Sequence, residues 1–95
     1  MKHGERRKAQ ILEAGLQLWR NEQVAPTARS IAKALGMTHT TILYHFKDTD
    51  NLKQALAGYA VQTRDPVIVP MLIAARNTAT AMLTEAEKLA YLSAI

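Results

Sequence analysis

The chain contains no cysteine. That excludes a disulfide scaffold and a thiolate metal site, and it fits a reducing, cytoplasmic setting. No stretch approaches a membrane span. The longest apolar run, residues 67–75, contains Pro70 and falls far short of the roughly 20 residues that a bilayer requires. The opening Met1-Lys2-His3-Gly4-Glu5 has charge with no apolar stretch behind it, so no signal peptide is expected. There is no Gly/Ser linker, low-complexity tract, internal repeat or alternating strand pattern. The equipment of catalysis is missing too: there is no Gly-rich phosphate loop and no Ser/His/Asp arrangement in a structural context. His3, His39 and His45 lack metal-ligand spacing. Asp48-Thr49-Asp50-Asn51 hints at a calcium loop, but Lys53 stands where the turn glycine belongs and Tyr59 where the bidentate glutamate belongs. No enzyme, metal or cofactor is expected.

What remains is a short helical chain with uneven charge. Its 95 residues, 48% of them hydrophobic, suffice for one small core, and chains of this size often gain stability by oligomerising. The net charge is +4. Residues 1–47 hold eight Lys/Arg against three Asp/Glu, while residues 48–95 hold four against five. Two readings of the basic half stand side by side: a surface built to meet a polyanion, and an ordinary solvated face.

Periodicity predicts five or six helices. The first covers about residues 5–20 and places Ile11, Leu12, Gly15, Leu16 and Trp19 on one apolar face. Thr27 is a good N-cap for a second helix that reaches about Leu35. Ile31, Ala32 and Leu35 form its stripe, and Arg29 and Lys33 sit four apart on another face. Gly36 can end it at positive φ. Thr38 caps a third helix to about His45 or Phe46. Asp48 caps a fourth, with Leu52, Leu56, Tyr59, Ala60 and Thr63 on one side. Asp65-Pro66 and Pro70 interrupt the chain. An alanine-rich stretch over 70–83 then reads as one helix with a stripe of Met71, Ala74, Ala75, Thr78, Ala79 and Met82. Thr84-Glu85-Ala86-Glu87 is a capping box that starts a last helix bearing Leu89 and Leu92. The expectation is an all-α protein in two parts, a basic helical domain over residues 1–63 and a short helical dimerisation tail over 64–95.

Two short helices over 27–35 and 38–46, joined across Gly36, have helix-turn-helix dimensions. The first would brace the second. The second would present its first turn, Thr38, His39, Thr40 and Thr41, to base edges in the major groove. Hydroxyls can bond to bases or phosphates, and threonine methyls can pack on thymine methyls.

The stretch Ile31-Ala32-Lys33-Ala34-Leu35-Gly36-Met37-Thr38-His39-Thr40-Thr41-Ile42-Leu43-Tyr44-His45-Phe46 resembles the DNA-binding domain of the tetracycline-repressor family. Ile11-Leu12-Glu13-Ala14, Leu18-Trp19, Thr27 and Leu52 also fall at family spacing, so the resemblance covers about residues 6–60. It implies that Thr27 and His45 touch phosphates, and that Arg29 reaches a base or phosphate beside the recognition helix. It implies that His39, Thr40 and Thr41 read bases, and that Tyr44 lies along the backbone or a thymine methyl. It places Lys47 and Lys53 on phosphates. Three positions depart from the family pattern: Leu43 replaces the usual tyrosine, Thr49 the usual lysine and Gln23 a common glycine. Family members usually continue into a second helical domain that binds a small molecule and dimerises. Only residues 61–95 follow the matched stretch here, so the expectation is a DNA reader without a small-molecule effector.

The expected function is operator binding as a homodimer on double-stranded DNA, in repression of transcription. A plasmid or phage replication or partition protein is the alternative with the same DNA-binding surface. A helical protein–protein adaptor would instead turn the basic half to an acidic partner. Trp19 and Phe46 are expected in the core, and Tyr59 and Tyr91 in the core or between subunits. Lys2, Arg6, Arg7 and Lys8 read either as an arm along a groove or as a solvated helix start.

Overall fold

The computed structural model describes residues 3–93, and nothing in it is strand. The elements are α1 (His3–Glu22), α2 (Ala28–Leu35), α3 (His39–Phe46), α4 (Thr49–Gln62), α5 (Ile68–Ala74), a 3-10 helix η1 (Thr78–Met82) and α6 (Glu85–Ser93). The fold is all-α. Lys2 lies outside the described residues. The chain divides into two compact units, Met1–Leu56 and Ala57–Ile95, with the border inside α4.

In the first unit, α1, α2 and α3 pack on one another. Ile11, Leu16 and Trp19 of α1 are buried with Ile31 and Ala32 of α2, Ile42 and Phe46 of α3, and Leu52 and Leu56 of α4. Leu12 and Leu35 are only half-buried, at the edges of their stripes. Gly15 permits the tightest approach. A Cβ there would lie 2.5 Å from Leu56 Cδ2 and 3.3 Å from Ile31 Cδ1, so side chains of α2 and α4 occupy the volume that any larger residue would claim.

Local chemistry sets the helix limits. Thr27 caps α2 by accepting from the Ser30 N–H at 3.0 Å, while the Thr27 N–H donates to Ser30 Oγ at 2.9 Å, a reciprocal capping box. Gly36, at φ 69°, closes α2: the Gly36 N–H donates to the Lys33 carbonyl and the Met37 N–H to the Ala32 carbonyl. This is the Schellman pattern. Asp48 Oδ1 accepts from the Asn51 N–H at 2.8 Å and caps α4 as expected.

In the second unit, Ala57, Ala60 and Val61 are buried, as are Ile68, Val69, Leu72 and Leu83. Thr63, expected on the inner side of α4, is exposed. Its hydroxyl instead donates back to the Tyr59 carbonyl at 2.9 Å. Asp65 is buried and accepts from the Val67 and Ile68 N–H groups at 2.9 and 3.0 Å, which starts α5. Pro70 is the third residue of α5, in the first turn, where a missing N–H costs nothing.

The single helix expected over 70–83 does not form. Arg76 turns left-handed at φ 55°. The Arg76 N–H then bonds the Ile73 carbonyl, and the Asn77 N–H bonds that of Leu72, closing a second Schellman end. Asn77 restarts the chain by accepting from the Ala79 N–H at 2.9 Å. The anticipated stripe is therefore split. Met71 is half-buried, Ala74 and Ala75 are exposed and Met82 is 59% exposed. The Thr84–Glu87 capping box forms as read, with bonds of 3.1 and 3.2 Å. Tyr59 and Tyr91 are half-buried.

Candidate nucleic-acid interface

Helix α3 is the element on which the expected reading residues fall. Thr38, in extended conformation, caps it by accepting from the Thr41 N–H at 3.3 Å, and the two hydroxyls lie 3.0 Å apart. Two of the four first-turn residues, Thr38 and Thr41, are thus engaged with each other. Thr27 is similarly engaged, since its hydroxyl serves the α2 cap. These three residues set where α2 and α3 begin.

The opposite faces of α3 are sharply different. Ile42 and Phe46 are buried. At about 100° per residue, the direction away from that pair runs through Tyr44, with Thr40 one turn earlier on the same side. Tyr44 is 83% exposed, and Thr40 is exposed as well. Together they form a ridge. Thr41 lies to one side of it and His39 lies towards the core, and both are half-buried. The sequence grouped His39 with Thr38, Thr40 and Thr41 as an exposed first turn. The helical angle puts His39 beside the core, and that signal was available in the positions of Ile42 and Phe46. His45 is half-buried, its ring edge-on to Tyr44 at 5.4 Å and 81°.

Exposed cations stand at the end of α3 and on the helices before and after it. Lys47 ends α3 and is exposed. Its backbone is unusual: φ is 77° and ψ −55°, and the Asp48 N–H donates to the Phe46 carbonyl at 2.9 Å. That is a γ-turn of the rarer hand. Arg29 and Lys33 are exposed on α2, and Lys53 is exposed on α4. No acidic residue occurs from Thr38 to Lys47, although Asp48 and Asp50 follow directly and are exposed. The positive end of α3 adds to the attraction that its N-terminus has for phosphate oxygens.

Elsewhere in the first unit, an open groove of about 510 Å³ runs between α1 and the α2–α3 turn, bordered by Arg6, Arg7, Gln10, Leu35 and Met37. A second open groove, of about 370 Å³, lies beside Arg76, Thr78 and Lys88. Among the described residues no cluster of His, Cys, Asp and Glu could hold a metal ion, and no helix is long and apolar enough to cross a membrane. Comparison with protein-family models, with curated proteins and with solved structures found no match to this chain.

Proposed function

We propose that this chain binds specific double-stranded DNA as a helix-turn-helix protein of the tetracycline-repressor kind, and that it represses transcription as a homodimer. The observation that carries the reading is the two-sided character of α3. A helix of eight residues spends Ile42 and Phe46 on the core and holds Thr40 and Tyr44 out into solvent. Such a ridge matches what a major groove admits. Arg29, Lys47 and Lys53 supply charge around it for phosphates. The tail supports pairing: Met82, Leu89 and Leu92 are 59%, 64% and 45% exposed, and a second copy covers such a surface with C2 symmetry. Two heads then read a two-fold site.

Selection of bound duplexes from a random pool, followed by a salt series on the winner and on random DNA, tests this. The expected outcome is an enriched inverted repeat and a steep loss of affinity with salt for both DNAs. A pool that never enriches, with binding indifferent to salt, would sink the proposal.

A further inference from the structure

We infer that the reading ridge recognises thymine 5-methyl groups, so that the bases facing Thr40 and Tyr44 in the cognate half-site are thymines. The inference rests on the DNA-binding function proposed above and names what that surface selects.

It follows from which side chains are free and what they can do. Bidentate readout of guanine or adenine needs Arg, Lys, Asn or Gln. None of these occurs from Thr38 to Phe46. The Thr38 and Thr41 hydroxyls are held against each other at 3.0 Å, and Thr38 also accepts from the Thr41 N–H. The side chains standing farthest from the buried Ile42 and Phe46 are Thr40 and Tyr44, one helical turn apart. Thr40 offers a methyl and one hydroxyl. Tyr44 offers a broad apolar ring, 83% exposed and edge-on to its neighbour His45. Leu43, half-buried, adds apolar surface beside them. A surface of methyl, ring and aliphatic carbon has one specific partner in the major groove, the thymine methyl.

Deoxyuridine substitution isolates that partner, because it removes the methyl and leaves every hydrogen-bonding group in place. The duplex selected by the full chain would be remade with each thymine of one half-site replaced in turn by deoxyuridine. Affinity would be measured by fluorescence anisotropy for the wild type and for Thr40→Ser, Thr40→Val and Tyr44→Ala. These exposed positions keep the fold intact, and circular dichroism verifies it. The expected result is a loss of about fourfold per methyl at one or two positions. Thr40→Ser or Tyr44→Ala should abolish the loss at its own position, while Thr40→Val, which keeps a methyl, should retain it. A selected duplex that tolerates deoxyuridine everywhere overturns the inference and leaves DNA recognition standing. So does a loss that persists unchanged in both Thr40→Ser and Tyr44→Ala. Failure to select any duplex over random DNA overturns the functional reading itself, and this inference with it.

Discussion

Gly36 and Gly58 make a matched pair in which one substitution should act with opposite signs. A Cβ added at either meets nothing within 4 Å, so steric crowding is removed from both. The backbones differ. Gly36 sits left-handed at φ 69° behind α2, whereas Gly58 lies in the interior of α4. Alanine in the left-handed region costs about 1–2 kcal/mol. The stiffer unfolded chain returns about 0.4–1 kcal/mol of that, which leaves Gly36→Ala destabilised by about 1 kcal/mol. Gly58→Ala should instead stabilise by about 0.8–1 kcal/mol, the glycine-to-alanine difference in a helix interior. For a chain of this length each kcal/mol moves the thermal midpoint by about 4–8 °C. Thermal melts followed by circular dichroism should therefore separate the two variants by about 8–16 °C. Shifts of the same sign would refute the reasoning. A neutral Gly36→Ala would show that the left-handed end does not govern how α2 stops.

Lys47→Gln or Lys53→Gln should weaken cognate and random DNA alike and reduce the salt slope by about 0.9. A loss confined to the cognate duplex would make that lysine a base reader. Glu87 answers to pH: the Thr84 backbone N–H, and after it the Arg64 side chain, hold its carboxyl below the ordinary glutamate range. Because the folded value is depressed, its contribution is present above the unfolded value and is lost as pH falls through the folded one. Amide exchange along α6 should therefore quicken as pH is lowered from about 5, once corrected for intrinsic rates, and Glu87→Gln should remove that dependence. Leu89→Glu with Leu92→Glu should turn a micromolar dimer into a monomer in sedimentation without changing helix content. A wild type that sediments as a monomer would defeat the pairing role of α6.

Where the sequence could be read, a side chain advertised the local structure. Thr27, Thr38, Asp48 and Thr84 are caps that accept a backbone N–H three residues on, and Gly36 announces a left-handed end. The all-α class followed from such marks and from helical spacing such as that of Ile11, Leu12, Gly15, Leu16 and Trp19. The tail was misread for the converse reason. Arg64 and Arg76 adopt positive φ at 54° and 55° with no glycine to signal it. Arg64 ends α4 with the same pair of bonds as Gly36, the Arg64 N–H to Val61 and the Asp65 N–H to Ala60. Residues 70–83 are rich in helix formers, so composition favoured continuity. The break falls at Arg76 and Asn77, between the buried Leu72 and Leu83. In the candidate interface, residue types were legible. Which hydroxyls were already occupied was not, because the contact between Thr38 and Thr41 depends on rotamers.

The γ-turn at Lys47 bears on the kinetics of encounter. Phe46 gives its carbonyl to the Asp48 N–H, the Lys47 N–H is held by the Leu43 carbonyl, and Asp48 is committed to the Asn51 N–H. The corner between α3 and α4 thus has no slack residue whose φ and ψ could swing freely. If α3 reads DNA as proposed, a helix mounted on such a bracket arrives already shaped, and ordering the backbone adds little to the cost of association. Its on-rate is then set by diffusion, orientation and charge, and differences among DNA sequences should show mainly in how long the complex lasts.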